Sequence, residues 1–208
     1  MKSERFWDKM SSNYDKQVEK YQQTYADTIE RTRKYLKKDD IILDFACGTG
    51  ITTIQISGFV KKIYAIDISQ RIIDIAAEKA EKNQIDNIKF YKTDLFNEEF
   101  EENSFDVVLA FNILYFLKNA SENISRIYEL LKSGGLFISV TDCLGENISL
   151  LNRIKHLLSR IGIFPFMKMY SIPELEDLII SDVDFEIIET AILYDNPLNY
   201  FIVAKKNA

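Results

Sequence analysis

The chain has 208 residues, of which 47% are hydrophobic and 28% charged, as expected for a single globular domain. Its formal net charge of −6 argues against nucleic-acid binding, which requires a basic surface. One histidine and the lack of a Cys-x-x-Cys sequence argue against a metal site. Because the chain shows no secretory leader, no long apolar run and two widely spaced cysteines, we expect a cytoplasmic protein without a transmembrane span.

The first 39 residues are predicted to form a helical cap over the rest of the chain. Tyr14, Tyr21 and Tyr25 share one stripe of such a helix. Core packing is the simplest role for this stripe. Tyr21 of this stripe is a candidate substrate contact.

From Asp40 onward, strand-like and helix-like patterns alternate, which indicates an α/β fold with a parallel sheet covered by helices. The predicted parallel strands are Ile41–Phe45, Lys62–Asp67, Ile88–Lys92, Phe105–Phe111 and Gly135–Thr141. Two later apolar runs, Phe185–Leu193 and Tyr200–Ala204, flank a turn at residues 195–198 and predict an antiparallel C-terminal hairpin. The expected architecture is therefore Rossmann-like: a seven-stranded, mostly parallel sheet with helices on both faces.

Capping residues mark the expected helix boundaries. Ser69 and Ser121 are predicted N-caps, and Gly134 is a predicted stop after the second of these helices. Ser171 and Glu174 have the spacing of a capping box. Each of these helices is expected to turn its apolar face toward the sheet.

A basic and apolar segment, residues 147–170, follows the fifth predicted strand. It carries four cations and no acidic residue: Arg153, Lys155, Arg160 and Lys168. A basic amphipathic helix of this kind can contact a membrane surface or an anionic amphiphile. The alternative that we favour is a lid whose apolar face packs on the domain, with His156 on its solvated side.

The sequence LDFACGTG, from Leu43 to Gly50, places a glycine turn between a predicted strand and a predicted helix. Such a turn lets the backbone approach a ligand and leaves helical N–H groups free to bind acceptor atoms. A dinucleotide site requires a third glycine at the position of Thr53, and a P-loop requires a lysine directly after Gly50. Since both are missing and Asp44 adds a negative charge, the turn indicates a ligand with a nucleoside part and a cationic part.

This motif resembles the L-D-x-G-C-G-T-G motif of class I S-adenosylmethionine-dependent methyltransferases, and the resemblance covers about Asp40 to Lys205. It implies S-adenosylmethionine as the cofactor, with Asp44 near the amino group of its methionine part. Cys47 is expected to pack as a small side chain and not to act as a nucleophile. The turn residues expected around the methionine part are Ala46, where the family usually has glycine, Cys47, Gly48 and Gly50.

The resemblance also assigns residues at the ends of the second and third strands. Asp67 matches the acidic position that accepts hydrogen bonds from both ribose hydroxyls, and Ile68 packs on the adenine face. Asp94 accepts a hydrogen bond from the adenine amino group, and the backbone of Leu95 recognises the ring. Acidic residues at successive strand ends make this prediction more specific than the turn alone.

At the end of the fourth strand, the family places residues close to the sulfonium and the methyl acceptor. Asn112 is accordingly expected beside the cofactor, and Tyr115 is a candidate substrate contact. N-terminal helices in similar enzymes fold over the cofactor, and the resemblance therefore also implies that Tyr14 of the helical cap binds it. Methyl transfer is an in-line displacement that requires alignment and the exclusion of water. No catalytic residue stands out, and a base is needed only if the acceptor must lose a proton. We expect a small, partly apolar acceptor.

One methyltransferase domain is expected over residues 1–208. Its predicted parts are an N-terminal helical cap at 1–39, a cofactor-binding core at 40–142, a helical lid at 143–173, and a C-terminal helix with the closing hairpin at 174–208. The sequence carries no prediction of the oligomeric state.

Three alternatives remain open at this level. A methyltransferase that acts on protein or RNA is disfavoured by the net charge and by the lack of an added recognition domain. A nicotinamide-dependent oxidoreductase is disfavoured by Thr53 and by Asp44. A non-catalytic cofactor-binding partner of another subunit is disfavoured because the acidic residues at the strand ends are retained.

Overall fold

The computed structural model describes residues 2–146 and 149–207. The first two residues of the predicted basic segment, Asn147 and Ile148, therefore lie outside the described residues. The helices are α1 (Lys2–Val18), α2 (Gln22–Arg33), α3 (Ile51–Ile56), α4 (Gln70–Lys82), α5 (Ala120–Leu130), α6 (Leu150–Arg160) and α7 (Ile172–Ile180). The strands are β1 (Ile41–Phe45), β2 (Lys62–Asp67), β3 (Ile88–Lys92), β4 (Phe105–Phe111), β5 (Leu131–Asp142), β6 (Phe185–Asp195) and β7 (Leu198–Lys206).

The seven strands form one sheet in the order β3-β2-β1-β4-β5-β7-β6. The first five strands pair in parallel, and β7 is antiparallel to both of its neighbours. The predicted Rossmann-like fold is therefore confirmed. Because the strand order reverses between β1 and β4, the crevice at their carboxyl ends is the place where open α/β sheets bind ligands.

The two faces of the sheet bury separate apolar clusters. One face packs against α5 and α7 through side chains such as Ile124, Ile127 and Leu175. The other face packs against α2 and α3 through Ile29 and Ile56. Burial of apolar area on both sides holds the strand ends in fixed positions relative to one another.

The predicted bounds of the first four strands agree with the structure, and two predictions near β5 are wrong. Helix α5 begins at Ala120, after Asn119, so Ser121 is not its N-cap. Strand β5 begins at Leu131, where that residue pairs with Phe105 across a register shift. Gly134, with a φ of 73°, therefore lies within β5 and does not end the helix.

Two capping predictions are confirmed. The Ser69 hydroxyl accepts a hydrogen bond from the backbone N–H of Ile72 at the start of α4. Ser171 and Glu174 form a reciprocal capping box at the start of α7. Each cap satisfies N–H groups that a helix end otherwise leaves unpaired.

Helix α6 is oriented opposite to our expectation. Its apolar side chains, which we expected to pack on the domain, are mostly exposed, and none of its residues is buried. His156, expected in solvent, instead lies with its Nδ1 2.9 Å from the carbonyl oxygen of Met167. The polar side of α6 thus faces the following segment of the chain. No helix among residues 2–146 and 149–207 is long and apolar enough to cross a membrane.

Candidate functional site

The turn between β1 and α3 contains three residues with left-handed backbone conformation. Ala46, Gly48 and Gly50 have φ values of 59°, 56° and 76°. A Cβ atom at Gly50 would lie 3.2 Å from the Cβ of Ala76, so a glycine here lets the turn pack closely against α4. At Ala46 the same conformation carries a Cβ and costs about 1–2 kcal/mol. The replacement of the usual glycine therefore makes this position a point of local strain.

Two buried carboxylates lie beside this turn. Asp44 accepts a hydrogen bond of 2.6 Å from the Thr53 hydroxyl, which gives Thr53 a role that the sequence did not suggest. Asp67 accepts hydrogen bonds from the backbone N–H groups of Ser69 at 2.9 Å and Gly48 at 3.3 Å. Burial raises the pKa of each carboxyl to about 6. Both are therefore mostly ionised at neutral pH despite their burial.

Neither carboxylate forms an ion pair with any residue that the structure describes. A buried carboxylate without a cation is costly, and a positively charged or hydroxyl-bearing ligand relieves that cost. The residues around the turn thus fit a ligand that carries a cationic group and hydroxyl donors. The Cys47 thiol beside them has a pKa raised by burial, which argues against a nucleophilic role.

Helix α1 covers the turn and is attached to the core by acidic residues. Glu4 forms an ion pair of 2.6 Å with Lys92, and Asp8 accepts a hydrogen bond of 2.6 Å from the Ser69 hydroxyl. Asp15 accepts a hydrogen bond of 2.6 Å from the Thr49 hydroxyl and contacts Lys79 at 2.5 Å. These contacts were missed at the sequence level, although the acidic residues share one face of the helix.

The covering helix brings Tyr14 onto the turn. A Cβ atom at Gly48 would lie 3.5 Å from the Tyr14 ring. Burial raises the pKa of the Tyr14 hydroxyl, which interacts with the hydroxyl of Tyr25. Gly48 therefore leaves a narrow space between the turn backbone and this tyrosine.

A cavity of about 560 Å³ opens beside the turn, within the range of small-molecule sites. Seven predicted cofactor residues line it: Tyr14, Ala46, Gly48, Asp67, Ile68, Asp94 and Asn112. A smaller cavity of about 30 Å³ shares Tyr14 and Ala46 with the first and is also lined by Asp44 and Cys47. The remaining two predicted residues, Gly50 and Leu95, are buried and line neither cavity.

Residues that follow β2 and β3 line one part of the large cavity. Ile68 and Phe96 supply apolar surface there, and Phe96 is 45% exposed. The Asp94 carboxylate is exposed and accepts a hydrogen bond of 3.0 Å from the Phe96 N–H, which shapes the loop after β3. Leu95 is fully buried, and its carbonyl oxygen accepts a hydrogen bond from Arg126. The backbone of this loop is thus held in place beside the cavity.

Another part of the cavity wall is aromatic, and this feature was not predicted. Phe6 and Trp7 of α1 meet edge to face at 5.2 Å between ring centroids. Phe6 also contacts Phe164 at 5.1 Å, and Trp7 contacts Phe116 at 5.2 Å. Three separate segments of the chain therefore build one apolar wall, which no local pattern in the sequence indicates.

A polar chain runs from the tyrosines toward the carboxyl ends of β4 and β5. The Tyr25 hydroxyl interacts with the side chain of Asn112. The backbone of Asn112 is left-handed, with a φ of 56°. Asn199 donates hydrogen bonds to Asn112 Oδ1 at 3.2 Å and to Asp142 Oδ1 at 2.8 Å. Asn199 is 4% exposed, and its Oδ1 has no partner among the described residues. Asp142 directly follows the fifth predicted strand, and this position could have identified it from the sequence as a candidate site residue.

The two candidate substrate residues lie outside the lining of both cavities. Tyr115 is 9% exposed and packs against Phe116, with 4.3 Å between ring centroids. Tyr21 is 41% exposed and contacts Tyr194 of β6. In this conformation, neither ring reaches the space that a small acceptor could occupy.

This sheet order, with a glycine turn after β1 and acidic residues at or near the carboxyl ends of β1, β2 and β3, agrees with the fold implied by the resemblance to class I S-adenosylmethionine-dependent methyltransferases. A family model described as a methyltransferase domain matches residues 36–171. The chain belongs to this methyltransferase family.

Known methyltransferases resemble most of the chain. A sterol 24-C-methyltransferase from Kluyveromyces lactis is 30% identical over 186 residues, which cover 84% of this chain and 49% of that protein. A putative methyltransferase solved in complex with the Trm112 activator of Haloferax volcanii gives a TM-score of 0.81 at 16% identity, covering 97% of this chain and 98% of that one. Phosphoethanolamine N-methyltransferase 2 from Haemonchus contortus, solved with S-adenosylmethionine, gives a TM-score of 0.69 at 18% identity, covering 88% of this chain and 53% of that one. The chain thus spans about half the length of the sterol methyltransferase.

Proposed function

We propose that this chain transfers a methyl group from S-adenosylmethionine to a small, partly apolar acceptor. The observation that carries the proposal is the composition of the large cavity. Polar cofactor residues such as Asp67 line one part of it, and the aromatic side chains of Phe6, Trp7 and Phe164 line another. A single cavity with both kinds of wall can hold a nucleoside cofactor and an apolar molecule side by side.

The chain's residues are proposed to bind and align the two molecules. Asp67 accepts hydrogen bonds from the ribose hydroxyls, and Asp44 attracts the amino group of the methionine part. Asp94 and the Leu95 backbone recognise the adenine, on whose face Ile68 packs. The cofactor supplies an activated methyl group, so the protein's task is alignment and the exclusion of water. Helix α1 serves the second task, since it covers the turn and the cavity.

The test is a transfer assay with S-adenosylmethionine that carries a radioactive methyl group. A cell extract is separated by ultrafiltration into a small-molecule fraction and a macromolecular fraction, and each is offered to the purified chain. We expect label to appear in small molecules that partition into an organic solvent. The Asp67→Asn variant should lose most of this transfer, whereas Asp74→Asn, on the exposed face of α4, should retain it.

Each alternative gives a different result in this assay. Label confined to protein or RNA overturns the small-molecule proposal and leaves the methyltransferase assignment in place. Label confined to small molecules that stay in water contradicts only the apolar character of the proposed acceptor. Calorimetric titration with NAD in parallel addresses the oxidoreductase alternative, for which we expect no binding heat.

A further inference from the structure

Helix α6 presents its polar side to the protein. Asn152, His156 and Ser159 lie three or four positions apart and therefore share one face of the helix. The Ser159 hydroxyl accepts a hydrogen bond of 3.2 Å from the N–H of Met167, and His156 Nδ1 lies 2.9 Å from the carbonyl oxygen of the same residue. These contacts orient α6 with its opposite, apolar side toward solvent.

The exposed side of α6 is a continuous apolar stripe. Leu150, Ile154, Leu157 and Ile161 follow one another at intervals of three or four residues. Their exposures are 75%, 46%, 60% and 62%, and those of Leu151 and Ile163 beside them are 60% and 66%. We call these six residues the α6 surface. An apolar patch of this continuity on a protein marks a contact site, because water disfavours it.

Basic residues border the α6 surface on both sides. On a helix of 3.6 residues per turn, Arg153 and Arg160 flank one edge of the stripe and Lys155 flanks the other. Lys168 adds a fourth cation, and no acidic residue occurs from Ser149 to Tyr170, although the whole chain has a net charge of −6. Long basic side chains beside an apolar stripe can keep their charges at headgroup level while the stripe enters the lipid.

We propose that the α6 surface docks on a membrane that contains anionic lipids. The charge pattern favours this occupant over a second copy of the chain. A two-fold contact between two α6 surfaces would bring basic edges of both copies together, with arginine against arginine in an antiparallel pair and arginine against Lys155 in a parallel pair. An anionic lipid surface instead pairs with the exposed Arg153 and Arg160 and accepts the apolar side chains beside them.

The same segment forms part of the cavity wall, which connects docking to the acceptor. Ser159, Gly162, Ile163 and Phe164 line the large cavity. Ile163 thus belongs both to the α6 surface and to the cavity lining. This part of the inference rests on the proposed function: an acceptor with an apolar chain would pass from the lipid to the aromatic wall without crossing water.

Vesicle flotation of the whole chain tests the docking without any methyl transfer. One set of vesicles is phosphatidylcholine alone, and the other contains phosphatidylcholine and phosphatidylglycerol in equal parts. We expect the chain to float with the anionic set and to be released by high salt. The double variant Leu150→Gln/Leu157→Gln should lose about tenfold in partition for each leucine. Arg153→Gln/Arg160→Gln should also bind weakly, and Ile188→Gln/Ile192→Gln, at exposed apolar positions of β6, should bind as the wild type.

Three results would overturn the proposal. They are absence of wild-type flotation with anionic vesicles, equal flotation of the leucine variant and the wild type, and a dimer in analytical ultracentrifugation that the leucine variant abolishes. Calorimetric binding of S-adenosylhomocysteine to the same variants should equal that of the wild type. If the wild type binds S-adenosylhomocysteine but does not float with the vesicles, this inference alone is contradicted. If the wild type does not bind S-adenosylhomocysteine, the proposed function is contradicted.

Discussion

Acidification should weaken the binding of S-adenosylhomocysteine, because two buried carboxylates must be ionised to receive it. The pKa of Asp44 and that of Asp67 are both raised by burial to about 6. At pH 5, one unit below that value, protonation opposes binding by about 1.4 kcal/mol for each carboxyl group. We therefore expect the dissociation constant to rise about tenfold per carboxyl, or about a hundredfold for both, between pH 7 and pH 5.

Isothermal titration calorimetry across this pH range measures the effect. The Asp67→Asn variant should bind more weakly than the wild type at pH 7. Because only the Asp44 carboxyl group still titrates in this variant, its affinity should fall about tenfold on acidification, not a hundredfold. The matched variant Asp74→Asn should follow the wild type. An affinity that stays constant, or that improves toward pH 5, would refute the role of the ionised carboxylates.

The same two groups should affect the stability of the unliganded protein in the opposite direction. A carboxyl whose pKa is about 3.9 unfolded and about 6 folded binds more protons in the folded state between these values. Its contribution to stability is full below the lower value and is lost as the pH rises through 6. The melting temperature of Asp67→Asn minus that of the wild type should therefore be larger at pH 7 than at pH 5. Calorimetric scans at both pH values measure this difference, and the reverse order would contradict the burial argument.

Three further predictions follow from single contacts. Ala46→Gly should stabilise the protein by up to about 1 kcal/mol, because relief of about 1–2 kcal/mol of strain exceeds the entropic cost of glycine. Urea unfolding measures this change, and a lower unfolding midpoint than that of the wild type would contradict the strained turn. Thr53→Val removes the hydroxyl donor to Asp44 and should cost about 1–3 kcal/mol at pH 7, measured in the same way, with little loss expected at pH 4.5. Asp15→Asn weakens the attachment of α1 at Thr49 and Lys79, so amide hydrogen exchange should accelerate across α1 but not in β1. Equal exchange in α1 of both proteins would show that these contacts do not hold the helix.

Local sequence patterns predict the sheet well, because each strand of the core is a short apolar run between clear breaks. The bounds of β1, β2, β3 and β4 follow directly from such runs. Strand β5 was predicted too short because its first residues pair with Phe105 across a register shift, and pairing depends on a partner that local sequence does not show. Helix α5 begins at Ala120, after Asn119, and no side-chain hydrogen bond caps it, so the serine at 121 does not mark its start.

Features that join distant segments could not be predicted in this way. The aromatic wall combines Phe6, Phe116 and Phe164, which are separated by long stretches of chain. The bond between Asn199 and Asp142 depends on the antiparallel register of β5 and β7. Helix α6 is amphipathic as expected, but periodicity gives only the two faces of a helix and not which of them meets the protein. The hydrogen bonds to Met167 decide that question.

The most direct test of the central claim is a pair of calorimetric titrations of the folded chain at pH 7, one with S-adenosylhomocysteine and one with NAD. We predict saturable binding of S-adenosylhomocysteine, no heat with NAD, and a loss of about 1.5–3 kcal/mol of binding free energy in Asp67→Ala, which removes a charged acceptor. Absence of binding by S-adenosylhomocysteine to protein whose melting transition is intact would contradict the assignment of this site.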